Sequence, residues 1–181
     1  MEVDLVTVGI ACADVMTRPV DGMPGKGKVN LVPHLELHMG GLAAVTATVF
    51  SQLGGKAAFI GALGLDGFGD YILATLRNNG VNTDRVQRTD AYNTSATVVL
   101  IDSQGERTFL HQLGANAAIT ESSIDFDLVA QTKVLHWGGP AVTPGLDGAP
   151  MGRVLKRARA MGVTTSMDTC FDGTNTWLPL I

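Results

Sequence analysis

An aspartate that follows a buried strand is the residue of this sequence best suited to ligand chemistry. Asp14 comes shortly after residues 4–11, a short apolar run typical of a strand covered on both faces. Open α/β sheets bind ligands beyond the carboxyl ends of their strands, where a carboxylate can accept hydrogen bonds from two hydroxyl groups. Asp14 is therefore a candidate hydroxyl acceptor in a polyol site. A helix-capping or loop aspartate is the alternative.

A pair of glycines is the second candidate site feature. Gly40 and Gly41 join a strand-like stretch to a helical pattern that begins near Leu42. Two glycines in this position permit unusual backbone dihedrals, hinge motion and a close approach of ligand to the amides of a helix N-terminus. A plain tight turn would explain the same pair.

Two further motifs could bind ligands but are better explained as surface. Residues 22–28 match the first seven positions of a Walker phosphate loop, but Val29 stands where a magnesium-binding hydroxyl is required. The side chains of His34, Glu36 and His38 alternate along one predicted strand and share a face. The valine favours a polar entry loop for residues 22–28. No fourth metal ligand is visible beside His34, Glu36 and His38, which favours a solvated strand face there.

The elements that position these residues alternate between strands and helices. Buried strands are predicted at residues 4–11, 57–63, 133–137 and 163–167. Helical patterns lie between them, at residues 42–53, 68–79, 122–131 (the weakest) and 151–161. This alternation predicts an α/β fold with a doubly wound parallel sheet and helices on both faces.

Two stretches break this rhythm and predict a small antiparallel β lid. Residues 28–38 and 94–112 alternate apolar with polar side chains, as half-exposed antiparallel strands do. A turn signal at residues 102–105 would fold the second stretch into a hairpin. We assign the lid to segments of approximately 15–39 and 90–113 within a single domain, and expect its open edge to associate with a second copy.

Composition excludes several classes of function. The 181 residues carry a formal net charge of −4 without a dense basic cluster, so nucleic acid is not an expected partner. No run of eighteen apolar residues or basic leader is present, which predicts no membrane partner and a cytoplasmic location. Cys12 and Cys170 match no disulfide or metal-ligand spacing. Residues 64–69 lack the glycine order of a dinucleotide-binding loop, which disfavours a Rossmann oxidoreductase.

An ordered series of short motifs resembles the ribokinase (PfkB) family of carbohydrate kinases over nearly the whole chain. The series begins with Gly9 and Asp14 and continues through residues 24–25, 40–44, 53–55, 59–70, 76–81, Thr94, residues 105–107 and 114–117, and Asp168 and Trp177. The resemblance implies a ribokinase-like fold that transfers the γ-phosphoryl group of ATP, with Mg²⁺, to a sugar hydroxyl. It also implies that Asp14, Gly40 and Gly41 bind the sugar under a lid that often forms a homodimer.

The first departure from the family pattern concerns the substrate. The family usually has an asparagine four residues after the second glycine, where this sequence has Val45. By the resemblance, Val45 is a substrate-site residue that has lost a polar contact. A nucleoside or a less hydroxylated sugar is then an alternative substrate.

The second departure concerns catalysis. In the family, a C-terminal half supplies an Asn-x-x-Glu element, a glycine-rich anion hole and an Asp-Thr-x-Gly-Ala-Gly-Asp motif with the general base, and none of these occurs before Ile181. We therefore expect an incomplete domain, residues 1–181, that holds the sugar-binding half and contains no catalytic residue, no cofactor-binding residue and no metal ligand. The 181-residue chain alone is expected to be inactive. A catalytically silent module for polyol binding or dimerisation is the alternative.

Overall fold

A computed structural model describes residues 3–170 of the chain. Its nine strands and four helices follow in the order β1 (Leu5–Gly9), β2 (Cys12–Arg18), β3 (His34–Gly40), α1 (Leu42–Gln52), β4 (Ala57–Gly64), α2 (Gly67–Asn78), β5 (Val86–Thr89), β6 (Ala96–Ile101), β7 (Arg107–Gln112), α3 (Phe126–Val129), β8 (Val134–Gly138), α4 (Ala149–Ala160) and β9 (Thr164–Asp168). Two short 3-10 turns, Gly114–Ala118 and Glu121–Ser123, precede α3. None of the helices in this described part is long and apolar enough to cross a membrane.

The main sheet has five parallel strands in the order β5-β4-β1-β8-β9. All four predicted strands belong to it, which confirms the doubly wound parallel sheet. The fifth strand, β5, was not predicted. Its sequence, Val-Gln-Arg-Thr, has no apolar run because β5 lies at the edge of the sheet.

Helices cover both faces of this sheet, as predicted. On one face α1 and α2 pack over buried residues that include Phe59 and Leu63. On the other face α3 and α4 pack over a second cluster that includes Ile60 and Trp137. Each such fully buried side chain contributes about 1.5–3 kcal/mol to folding. The weakest predicted helix, residues 122–131, is reduced to the single turn of α3.

The lid is a four-stranded sheet in the order β3-β2-β6-β7, and we call it the lid sheet. It is mixed, so the prediction of an antiparallel lid was wrong for its central pair. Strands β2 and β6 both run outward from the main domain and therefore pair in parallel, whereas β3 and β7 run back and pair antiparallel with them. The strand predicted from residue 28 begins only at His34.

The strand register defines two adjacent rows of residues across the lid sheet, one polar and one apolar. His38, Asp14, Thr97 and His111 are successive cross-strand partners in one row. The next residue on each strand belongs to the apolar row, which consists of Leu37, Val15, Val98 and Leu110. Because side chains alternate along a strand, the polar row lies on one face of the lid sheet and the apolar row on the other.

Candidate functional site

The candidate site is the corner where the lid sheet leaves the carboxyl edge of the main sheet. Strand β1 ends at Gly9 and the chain enters β2 three residues later, while β3 returns to the same corner at Gly40. The N-terminus of α1 also meets the end of β8, since a Cβ atom added to Gly138 would lie 2.5 Å from the Ala43 nitrogen. Ligands bind at this edge in open α/β sheets.

Asp14 and Gly40 are in contact, although they are 26 positions apart in the sequence. A Cβ atom built on Gly40 would lie 2.1 Å from Asp14 Oδ2 and 2.8 Å from its Cγ. The partly buried carboxylate therefore occupies the space that any other side chain at position 40 would fill. Glycine at this position is what allows Asp14 to lie flat against the backbone of β3.

Gly41 is the N-cap of α1 and has a φ of 94°, which L-residues rarely adopt. A Cβ atom there would lie 2.5 Å from the Ile10 carbonyl oxygen and 2.6 Å from the Ala11 Cα. The first turn of α1 contains no acidic residue, so the positive end of the helix is not neutralised from within. The corner thus places a carboxylate beside a helix N-terminus, an arrangement that can both accept and donate hydrogen bonds.

Of the four predicted site residues, the structure brings Asp14, Gly40 and Gly41 together. Val45 lies further along, in the first turn of α1, where its amide donates to the Gly41 carbonyl oxygen over 2.9 Å. Its side chain is 39% exposed, so its methyl groups are open to solvent rather than part of the core.

A hydrogen-bonded chain that sequence reasoning missed runs behind Asp14. The Cys12 sulfur lies 3.1 Å from Thr97 Oγ1, which in turn lies 3.0 Å from His111 Nδ1. Burial raises the pKa of the Cys12 thiol to about 11, and the neighbouring Asp14 carboxylate acts in the same direction. Loss of hydration lowers the pKa of His111, against the opposing pull of Asp14. The thiol is therefore protonated and the imidazole neutral near pH 7.

Asn116 fixes the turn that carries the chain from β1 to β2. Its buried side-chain amide accepts from the Ala11 amide over 3.3 Å and donates to the Ala11 carbonyl oxygen over 3.2 Å. Both backbone polar groups of Ala11 are thereby satisfied by one side chain. This contact also fixes the position of Asp14, three residues further along the chain.

Asp66 fixes the other entrance to the lid sheet. Its carboxylate caps α2 through the Gly69 amide and accepts from both the amide and the hydroxyl of Thr94, each over 2.7 Å. Burial alone would raise the pKa of Asp66, but these hydrogen bonds outweigh it and hold the pKa below its ordinary value. The carboxylate is therefore ionised and ties α2 to the segment that leads into β6.

The two motifs interpreted as surface are exposed. Residues 22–28 form an exposed loop between β2 and β3. His38 Nε2 lies 2.9 Å from Glu36 Oε2, and a cavity of about 200 Å³ adjoins this pair on the face of Asp14. Among residues 3–170, no group of three or more His, Cys, Asp or Glu side chains is placed to hold a metal ion. Trp177 lies outside the described residues.

Comparison with known proteins identifies the family of the chain. Residues 3–176 match the pfkB family of carbohydrate kinases. A fructokinase from Solanum tuberosum is 35% identical over 123 residues, which are 66% of this chain and 39% of that protein. Arabidopsis thaliana ribokinase, solved with ribose and ATP, superposes with a TM-score of 0.78 at 26% identity, over 93% of this chain and 54% of that one.

A fructokinase from Xylella fastidiosa superposes with a TM-score of 0.75 at 25% identity, over 95% of this chain and 52% of that one. The chain thus spans about half the length of the proteins it matches. Its fold, its motif series and the family match agree, and we conclude that this chain belongs to the pfkB family of carbohydrate kinases.

Proposed function

We propose that this chain is the sugar-binding part of an ATP-dependent carbohydrate kinase, which transfers a phosphoryl group from ATP to a sugar hydroxyl. The observation that carries the proposal is the Asp14 carboxylate lying against Gly40, beside the N-terminus of α1. Such a carboxylate can accept two hydroxyl groups of a polyol, and each charge-assisted bond contributes about 1.5–3 kcal/mol.

The electrostatics of Asp14 support a ligand at this position. The six ion pairs among the described residues do not include Asp14, although the side chain is partly buried. Withdrawing a carboxylate from water without a cationic partner costs free energy. Hydroxyl groups of a bound sugar would restore its hydrogen bonds.

ATP and Mg²⁺ are implied by the family, but the described residues do not fit them. No metal-binding cluster is present in residues 3–170, and the family's Asn-x-x-Glu and Gly-Ala-Gly-Asp elements do not occur in the 181 residues. We therefore assign to this chain the binding and orientation of the sugar, and no step of phosphoryl transfer.

A panel of ligands tests this function by thermal shift. We expect D-fructose or D-ribose to raise the melting temperature, because a ligand that binds only the native state at a hundred times its Kd adds about 2.7 kcal/mol of stability. Adenosine and other nucleosides belong in the panel because Val45 replaces a polar contact. A shift with nucleosides alone would favour a nucleoside kinase. No shift with any polyol would contradict a polyol site.

The purified chain is expected to show no ATP-dependent phosphoryl transfer. That reaction depends on metal ligands, anion-binding amides and a base beside the acceptor hydroxyl, and the chain has no family motif that supplies them. The measurement is ADP release with magnesium against the same sugars and nucleosides, with a complete family kinase as the positive control. Sugar-dependent ADP release by the chain would overturn this assignment.

Uncovered apolar surface accompanies the missing motifs. Val45, Val49 and Leu53 recur along one face of α1 and are 39%, 46% and 83% exposed. Among the described residues, strand β9 is at the edge of the main sheet. We propose that further chain or an associated protein covers these surfaces, and that the chain alone is less stable than a complete domain of the family.

The apolar face of the lid sheet supports the homodimer we propose. Leu35, Leu37, Val98 and Leu110 are 68%, 38%, 39% and 59% exposed. The register places no ionisable residue on this face between β3 and β7. A two-fold axis brings like residues together, which an uncharged apolar face tolerates and a charged face does not.

Leu110→Lys is expected to convert this dimer to a monomer. A lysine within an apolar contact must either lose hydration or separate the two copies, so we expect dissociation to become at least tenfold more favourable. Analytical ultracentrifugation of the two proteins measures this. Met161→Lys, at the exposed C-terminal end of α4, is the matched control. A wild-type chain that is monomeric at high concentration would contradict the lid dimer.

We extend the proposal to a cytoplasmic location. The buried Cys12 is not part of a disulfide. A cysteine that stays reduced is typical of a reducing compartment.

A further inference from the structure

In the polar row of the lid sheet, Asp14 has His38 on one side and Thr97, followed by His111, on the other. One of these side chains is placed to contact a ligand. Thr97 is the direct cross-strand partner of Asp14, and His111 is the partner of Thr97. All three lie on the face of the lid sheet opposite the apolar row. Neighbouring strands are about 4.8 Å apart, so the backbones of Asp14 and His111 are about 10 Å apart.

The hydrogen-bonded chain behind this row has a direction, which is set by the Cys12 thiol at its inner end. Burial keeps the thiol protonated, and it donates to the Ala13 carbonyl oxygen, 3.9 Å from the sulfur. Because the thiol proton is directed at Ala13, the sulfur is left to accept from the Thr97 hydroxyl, 3.1 Å away.

This direction fixes the tautomer of His111. Once the Thr97 hydroxyl donates inward, its oxygen accepts from His111 Nδ1, 3.0 Å away. The neutral ring then carries its proton on Nδ1 and a lone pair on Nε2. No hydrogen bond from the described residues reaches Nε2, and it is not enclosed, since His111 lies on the edge strand β7.

We propose that His111 Nε2 is a second hydroxyl acceptor of the sugar site, with Cys12 and Thr97 acting as positioning residues that hold its tautomer. This inference rests on the proposed function and names the ligand more closely. Two acceptors on strands separated by β6 select a polyol with donor hydroxyl groups at both ends of a chain of hexose length. A triose or a single diol would reach only one of them.

The first experiment measures the tautomer without ligand. Nitrogen-15 NMR of the full chain at pH 8 distinguishes Nδ1–H from Nε2–H for each histidine. We expect Nδ1–H for His111, the form that free histidine disfavours, and a change to Nε2–H in Thr97→Val. Thr108→Val, on the opposite face of β7, is the matched control and should leave the His111 signal unchanged. An Nε2–H tautomer in the wild-type chain would overturn the proposal.

The second experiment measures the affinity for D-fructose by calorimetry. Loss of one hydrogen bond predicts about tenfold weaker binding for His111→Phe, which keeps a ring but no acceptor. His111→Gln restores an acceptor and should recover most of the affinity. Thr97→Val should weaken binding although His111 is intact, and it should change the His111 tautomer at the same time. A merely structural role of Thr97 would not produce both effects together. His34→Phe, on the same face two rows further out, is the control.

The two levels of failure are distinguishable. Binding by the wild-type chain that is unaffected by His111→Phe would overturn this inference and leave the proposed function standing. A wild-type chain that binds neither D-fructose nor D-ribose would remove the proposed function, and this inference with it. Equal affinity for D-fructose and for glycerol would overturn the selection for hexose length.

Discussion

Gly41→Ala is expected to destabilise the chain by about 2–6 kcal/mol, which combines about 1–3 kcal/mol of backbone strain with about 1–3 kcal/mol of overpacking. The strain arises because φ at this position is 94°. The overpacking arises because the added methyl group would lie 2.5 Å from the Ile10 carbonyl oxygen, a backbone atom inside the corner that cannot move cheaply. Urea denaturation of the purified variant measures the free energy of unfolding.

Gly54→Ala is the matched control because it separates the two costs. Gly54 has a similar φ of 93°, but nothing lies within 4 Å of an added Cβ atom. We expect this variant to be destabilised only by the backbone strain, about 1 kcal/mol in an exposed position. If Gly41→Ala costs no more than Gly54→Ala, the close packing of the corner is wrong.

Asp14→Ala is expected to weaken sugar binding by about tenfold to about 10⁴-fold. The variant removes up to two charge-assisted hydrogen bonds, each contributing about 1.5–3 kcal/mol. Titration calorimetry with D-fructose gives the two dissociation constants. Asp90→Ala, which removes an exposed carboxylate from the segment before β6, is the control. Unchanged affinity in Asp14→Ala would remove Asp14 from the site.

Gly40→Ala provides a second route to the same result without touching the carboxylate. Its added methyl group would overlap Asp14 Oδ2, the free end of a flexible side chain, so the side chain can turn away at little cost in stability. The sugar affinity should nevertheless fall about as far as in Asp14→Ala. A variant that keeps full affinity would show that the contact between Asp14 and Gly40 is incidental.

The main sheet was predictable from sequence because its strands are covered on both faces. Such strands read as short continuous apolar runs, and this holds for β1, β4 and β8. Strand β9 was also predicted as a buried strand, but it is an exposed edge strand of the described sheet. Strand β5 has no such run because a sheet edge imposes less burial. The mixed lid sheet was not predictable, since the parallel pairing of β2 with β6 depends on both strands leaving the same edge of the main sheet. The local sequence of neither strand indicates this parallel pairing.

Site residues could be predicted from the sequence where the residue type itself indicates its chemical role. Asp14 and the glycine pair could be found from their positions after a strand and before a helix. The pairing of Thr97 with His111 could not be read from the predicted turn: counting outward from residues 102–105 sets Thr97 opposite Leu110, whereas the connection has five residues, 102–106, and shifts the register by one to His111. The contact between Cys12 and Thr97 left no signal in the sequence, because it crosses a parallel pair that only the tertiary fold brings together.

Mapping of D-fructose binding by backbone amide NMR tests the central claim most directly. The claim is that the corner formed by β1, β2, β3 and the N-terminus of α1 binds the sugar. We expect saturable shifts centred on the amides of Asp14, Gly40 and Gly41, extending along the polar row to Thr97 and His111. The distant polar surface around Asn82, Asp84 and Gln131 should not respond. Saturable shifts centred on that surface, with the amides of Gly40 and Gly41 unchanged, would contradict the account.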